Sequence, residues 1–315
     1  MTTTVLLPLD GSDKDERAIP VAAALADLAG GDLHVIRVLD TPIDSLSPRA
    51  RTMGVLDAAR EIRSDMERSV RGVADRLIAD TGRPVTAEVA ESFDVARVLV
   101  ERAAEPGTDF VVMGTRAAGP LGRALRGSVA DRVMRESSSP VVLVPPGTTE
   151  VRGKQLRLKR VLVPLDGSAL AHSTIDQLLE LEGASSLEYV LIEVVRTALT
   201  GSPPGLGGLA DMAVVPEAYV ELPDIDAALA AAKDELNAVA ERLRAGGAKS
   251  VRVLAVEAAD AAAAIVRAAR EEETDFIAMS TRGAGGLKRF MLGSVAEKVV
   301  RESDVPVLLV TPGDR

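Results

Sequence analysis

VLLPLDGS at residues 5–12 returns as VLVPLDGS at residues 161–168, and the reading of the fold starts from that repetition. Two further blocks keep the same order. Thr108-Asp109-Phe110 recurs as Thr274-Asp275-Phe276, and Gly127-Ser128-Val129-Ala130 as Gly293-Ser294-Val295-Ala296. Matched blocks in matched order mean that one structural unit is written twice. The second copy is the longer, and its extra residues fall in the Pro- and Gly-rich stretch 200–223, which reads as a loop. Residues 145–159, rich in Pro, Gly and charge, separate the copies. The expected organisation is a domain over 1–146, a linker over 147–159 and a second domain over 160–315.

Each copy alternates strand and helix. In the first, residues 5–8 form a short apolar strand, Ser12 caps a helix running through 18–28, and Gly30-Gly31 stops it. Strands follow at 33–39, 84–90, 110–113 and 141–144, with helices at 54–80, 93–104 and 123–137 between them. The apolar runs are short and nearly continuous, as in parallel strands covered on both faces. The fold class is therefore α/β: two tandem doubly wound, Rossmann-like domains, each with a five-stranded parallel sheet flanked by helices. The last strand of each copy, 141–144 or 307–310, would leave an open edge, and each is expected to pair with the other across a pseudo-twofold axis.

Composition bounds the function. A length of 315 residues suits two domains. Aromatic residues make up only 2%, so the core must be built from Val, Leu, Ile and Ala. The absence of Cys excludes disulfides, thiolate metal sites and Cys nucleophiles. A net charge of −10 argues against a nucleic-acid partner, which calls for a basic surface. No apolar run is long enough to span a membrane, and the first residues do not read as a signal peptide, so a cytoplasmic location is expected.

Doubly wound sheets bind ligands beyond the carboxyl ends of their strands, where the strand order reverses. Two positions per copy lie there. Asp10 and Asp166 directly follow the first strand. The other is the loop after the fourth, Met113-Gly114-Thr115-Arg116-Ala117 in one copy and Met279-Ser280-Thr281-Arg282-Gly283 in the other. Each loop leads on to Gly127-Ser128 or Gly293-Ser294. Small residues let backbone N–H groups approach an anion, and a helix N-terminus adds partial positive charge. Arg116, Arg123 and Arg126, with Arg282, Lys288 and Arg289, make these loops basic within an acidic chain, and the Ser128 and Ser294 hydroxyls could donate to phosphate.

In these motifs the chain resembles the universal stress protein family over essentially its whole length. Nucleotide-binding members carry Gly-x2-Gly-x9-Gly-Ser/Thr paired with an Asp at the end of the first strand. The resemblance implies a nucleoside near Pro8, Leu9, Asp10 and Val38, or near Pro164, Leu165, Asp166 and Val194. It implies phosphates on Gly127, Ser128 and Val129, or on Gly293, Ser294 and Val295, and counts Met113, Gly114, Arg116 and Ala117, or Met279, Ser280, Arg282 and Gly283, among the nucleotide-binding residues. The implied ligand is ATP, with ADP or AMP as alternatives and Mg2+ as a companion. An intramolecular pseudo-dimer, open to further homodimerisation, is implied as well. Each copy departs once: Ala117 replaces the second Gly of the first loop, and Ser280 the first Gly of the second. A left-handed backbone at Ala117 would cost about 1–2 kcal/mol, so the first site is expected to bind more weakly.

Plainer roles stand beside these. Asp10 and Asp166 can cap turns with their Gly-Ser neighbours, and the basic loops can be solvated faces. Gly205-Leu206-Gly207-Gly208-Leu209-Ala210 fits a dinucleotide fingerprint but lacks the strand before and the helix after it. His34 and His172 have no partner His at ligand spacing and are expected to be structural. The basic run Arg152, Lys154, Arg157, Lys159 and Arg160 is expected to be a solvated linker. The leading function is a nucleotide-binding regulatory or stress-response protein that is not an enzyme. A slow ATP hydrolase or phosphotransferase is one alternative, though no Walker A loop is present. A nucleotide-free interaction module is the other.

Overall fold

The computed structural model describes residues 3–40, 55–115, 129–148, 156–196, 224–281 and 292–310. The first copy contains β1 (Thr4–Leu9), α1 (Asp13–Ala29), β2 (Asp32–Leu39), α2 (Val55–Thr81), β3 (Val85–Glu91), α3 (Val95–Ala103), β4 (Thr108–Gly114), α4 (Val129–Glu136) and β5 (Val141–Val144). The second contains β6 (Arg160–Leu165), α5 (Ala169–Leu179), β7 (Glu188–Val195), α6 (Ile225–Ala245), β8 (Ser250–Glu257), α7 (Ala261–Glu271), β9 (Phe276–Ser280), α8 (Ser294–Glu302) and β10 (Val307–Val310). The alternation is the one expected from the sequence, with boundaries shifted by one or two residues at most ends.

Local chemistry sets those boundaries. Ser12 precedes α1 in an extended conformation, and Gly30 ends it at φ 68° with its N–H on the Ala26 carbonyl. Only a residue without a Cβ enters that left-handed well cheaply. Along α1, Ala18, Val21, Ala22, Leu25, Ala26 and Ala29 recur at helical spacing and are all buried. In β1, Val5, Leu6 and Leu7 are fully buried, because helices cover both faces of the strand.

The strands form one ten-stranded sheet in the order β3-β2-β1-β4-β5-β10-β9-β6-β7-β8. Pairing is parallel within each half. The halves join through β5 and β10, which run antiparallel with Leu143 opposite Val307, Val142 opposite Leu308 and Val141 opposite Leu309. The two core layers continue across that seam. Val142, Val144, Leu308 and Val310 belong to the layer under α1, and Val141, Leu143, Val307 and Leu309 to the opposite one.

The end of the linker is tied down through its backbone and Leu158, while the Arg157 and Lys159 side chains are exposed. Leu158 is buried in the core, and the Lys159 and Arg160 N–H groups donate to Asp275 Oδ2 at 2.7 and 2.8 Å. Arg160 opens β6 and pairs with Glu188 at 2.7 Å. An apolar Leu at every second position explains the anchoring: the run alternates like a strand entering the sheet. Arg152, Lys154 and the Gly205–Ala210 motif lie outside the described residues.

Both histidines face carboxylates. His34 Nε2 lies 3.1 Å from Glu88 and His172 Nε2 3.6 Å from Glu235. Among the described residues, no helix is long and apolar enough to cross a membrane, and no group of three or more His, Cys, Asp or Glu is placed to hold a metal ion.

Candidate functional site

In the first copy the strand order reverses between β1 and β4, and a cavity of about 670 Å³ opens at their carboxyl ends. Pro8, Leu9, Asp10, Val38, Met113, Gly114 and Val129 all line it, brought together from β1, β2, β4 and the start of α4. The volume is that of an ordinary small-molecule site. Arg116, Ala117, Gly127 and Ser128 lie outside the described residues, as do Arg282 and Gly283 of the second copy. The remaining cationic loop residues, Arg123, Arg126, Lys288 and Arg289, lie outside them too.

The Asp-Gly-Ser turn has the same form in both copies. Gly11 and Gly167 are left-handed, at φ 80° and 72°. The Ser12 N–H donates to Asp10 Oδ1 at 3.0 Å, and the Ser168 N–H to Asp166 Oδ1 at 3.2 Å. Each Asp therefore caps its own turn, the plainer of the two roles read from the sequence. Lys14 adds an ion pair to Asp10 Oδ2. Partial burial works to raise the Asp10 carboxyl, but the hydrogen bonds from Lys14 and Ser12 outweigh it and hold it below the ordinary Asp value. Asp15 closes the turn from below, accepting from Gly11 N at 2.7 Å and Asp10 N at 3.3 Å; burial nevertheless pushes its carboxyl up.

The loop after the fourth strand leaves from a fixed base. Thr115 N–H donates to the Val144 carbonyl at 2.8 Å, and Thr281 N–H to the Val310 carbonyl at 3.0 Å. In the second copy the loop closes where Gly293 N–H meets the Thr281 carbonyl at 2.8 Å, immediately before α8. Gly114 sits tight against α1, where a Cβ would stand 2.7 Å from the Lys14 carbonyl oxygen. Ser280 occupies the matching place in the second copy and is buried, so the two copies seat that helix differently. Beyond the cavity, Arg132 Nη1 lies 2.7 Å from both oxygens of Asp94, the residue capping α3; Lys298 pairs likewise with Asp260, which caps α7. One ion pair per copy thus fixes the helix that begins at the Gly-Ser motif.

Lys14, Asp15, Arg37, Ile62 and Met66 also line the cavity and were not expected from the sequence. Lys14 had a signal, standing four residues after Asp10 at the start of a helix. Arg37 had only its place beside Val38. It covers the turn at Gly11, where a Cβ would collide with its guanidinium, and Nη2 reaches the Asp10 carbonyl at 3.2 Å. The equivalent residue in the second copy is Glu193, and the turn at Gly167 is approached instead by Glu235, 3.3 Å from where a Cβ would stand. The mouths of the two copies therefore differ in charge.

Burial first, then repulsion from Glu235 and Asp166, pushes the Glu193 carboxyl up. A raised acid weakens the fold once ionised. Below the unfolded value Glu193 is protonated in both states and costs nothing; stability is lost as pH rises towards and through the folded value. Glu193→Gln is expected to melt higher than the parent chain at neutral pH and to lose that advantage below the ordinary Glu range. Equal melting temperatures at neutral pH would show that the carboxylate is not strained there.

The chain matches the universal stress protein family over residues 1–145 and again over 157–311. It is 25% identical over 312 residues to a universal stress protein of Mycolicibacterium smegmatis, covering 98% of this chain and 97% of the relative. A universal stress protein of Mycobacterium tuberculosis is 27% identical over 311 residues, covering 97% and 96%. Among solved structures, a universal stress protein from Archaeoglobus fulgidus shares the fold with a TM-score of 0.64 at 22% identity, over 99% of this chain and 97% of that one. Duplicated sheet, repeated turn and full-length relatives agree: this chain is a tandem member of the universal stress protein family.

Proposed function

We propose that each copy holds an adenine nucleotide beyond the carboxyl ends of its strands, and that the chain is a regulatory binder rather than an enzyme. Family membership supports a stress-response role. The observation that carries the nucleotide reading is convergence: Asp10, Val38 and Gly114, separated in sequence, line one cavity at the reversal of strand order. The residues fit such a ligand. Asp10 is a charged acceptor suited to a ribose hydroxyl, Ile36, Val38 and Leu99 offer an apolar wall for a base, and Lys14 supplies a cation. In the second copy, Pro164, Leu165 and Asp166 end β6, Val194 lies in β7, Met279 and Ser280 end β9, and Gly293, Ser294 and Val295 open α8. ATP, ADP and AMP are the candidate ligands, with Mg2+ able to accompany the phosphates, and the proposed setting is the cytoplasm.

Native mass spectrometry of the chain purified without added nucleotide, followed by calorimetry with each nucleotide with and without Mg2+, tests this directly. Two bound equivalents and no release of inorganic phosphate are the expected result. Steady turnover would move the reading to a slow hydrolase. Absence of any binding would leave the nucleotide-free interaction module.

A further inference from the structure

A second groove lies beside the candidate cavity, sharing Leu9, Asp15 and Arg37 with it but lined otherwise by different residues. It opens between the first turns of α1 and the middle of α2 and measures about 370 Å³. Three arginines from two elements line it, Arg37 of β2 with Arg68 and Arg76 of α2. Clustered guanidinium groups repel one another unless an anion joins them, and a chain of net charge −10 has carboxylates to spare. Yet the cations here are weakly matched. The hydrogen bond from Arg37 goes to a backbone carbonyl, and Arg76 has neither ion pair nor hydrogen bond among the described residues. Arg68 pairs with Asp65 on its own helix, and both side chains are largely exposed.

Other donors face the same space. Ser12 lines the groove, and its hydroxyl makes no capping bond. Its counterpart Ser168 is fully engaged, donating to Asp166 at 2.6 Å and accepting from Ala171 N at 3.1 Å. On the α2 side Gly72 faces open space, where a Cβ would meet nothing within 4 Å. Of the two lining carboxylates, Asp15 is occupied by the N–H groups of Gly11 and Asp10, and Glu16 is exposed. The balance of the lining is cationic.

The second copy shows that the fold does not require these charges. Val70, Val73, Ala74 and Leu77 of α2 correspond to Leu236, Val239, Ala240 and Leu243 of α6, buried in the same pattern. In that register Arg37, Arg68 and Arg76 become Glu193, Asp234 and Arg242, and Arg242 is paired with Asp176 at 2.6 Å. The same scaffold packs with two of the three charges reversed.

We propose that the α1–α2 groove of the first copy binds the phosphate group of a small phosphorylated ligand, and that the second copy has no such site. Guanidinium forks match phosphate oxygens two at a time, and Ser12 adds a neutral donor. The groove is sized for the head of a small metabolite, and the chain's net charge of −10 disfavours an extended polyanion.

Calorimetric titration of the full chain with pyrophosphate at low ionic strength, with and without saturating ATP, reads the site. One equivalent is expected to bind in the presence of ATP. The double variant Arg68→Glu with Arg76→Glu, both on the exposed face of α2, should weaken it at least ~tenfold. Arg242→Glu in the second copy should leave it unchanged. No uptake by the parent chain, complete displacement by ATP, or parental affinity in the double variant would overturn the proposal. The double variant decides the matter even if the chain binds no ATP, so failure here and failure of the nucleotide reading are separable.

Discussion

Gly293→Val is expected to abolish nucleotide binding at the second site while leaving the fold intact. Gly293 holds φ −64° and ψ 149°, an extended conformation open to any residue, so the substitution carries no backbone strain. Its N–H is already committed to Thr281, and Val keeps that bond. What changes is access. Helix α8 begins at Ser294, and its first N–H groups are unsatisfied donors carrying the positive end of the helix dipole. A branched side chain at position 293 would stand between those donors and the phosphate oxygens that the proposed nucleotide would bring to them. Calorimetry is expected to report one equivalent instead of two, with affinity at the lost site down at least ~hundredfold, about 2.7 kcal/mol. The melting temperature without nucleotide should match the parent. Unchanged stoichiometry at unchanged affinity would remove this loop from the site.

The fold was legible because its signals are local and written twice. Strands β1 and β6 read directly from VLLPL and VLVPL, and Gly30 marks the end of α1 by the one conformation that glycine enters freely. The pairing of β5 with β10 followed from an accounting argument about open edges, not from any motif. The anchoring of the linker was missed because a charged run hides its alternation. Leu156 and Leu158 pack inward while Arg157 and Lys159 draw the eye.

The site was legible only in part, and the reason is geometric. Asp10 and Gly114 are recognised by the strands they end, a one-dimensional property. Arg37 matters through what it faces across the turn at Gly11, which no spacing encodes, whereas Lys14 stands only four residues after its partner Asp10. The charge reversal between Arg37 and Glu193 was present in the aligned copies. It became meaningful only when both were seen to belong to the elements flanking the Asp-Gly-Ser turn. Duplication therefore preserved the scaffold and the turn while letting the surroundings diverge.

A fragment comprising residues 1–148 is expected to form a stable homodimer. In the whole chain β5 is bonded on one side to β4 and on the other to β10. Removing the second copy leaves the backbone groups of Val141–Val144 that face β10 unpaired, along a strand whose side chains are buried on both faces. Such an edge is a template for another chain. The register of the seam makes a second copy of the same fragment the natural occupant. Val142 opposes Leu308, its own counterpart in the second copy, while Leu143 opposes Val307 and Val141 opposes Leu309. The pairing is thus symmetric about Val142 and Leu308, so β5 can meet β5 in the register already used. This is the self-complementary contact of a twofold dimer. Every residue involved would be Val or Leu, so the core volume across the seam changes little. Analytical ultracentrifugation at micromolar concentration should report twice the fragment mass, and the mixed helix and strand signal in circular dichroism should be retained. A fragment that remains a folded monomer at high concentration would show that the seam contributes little to holding the halves together.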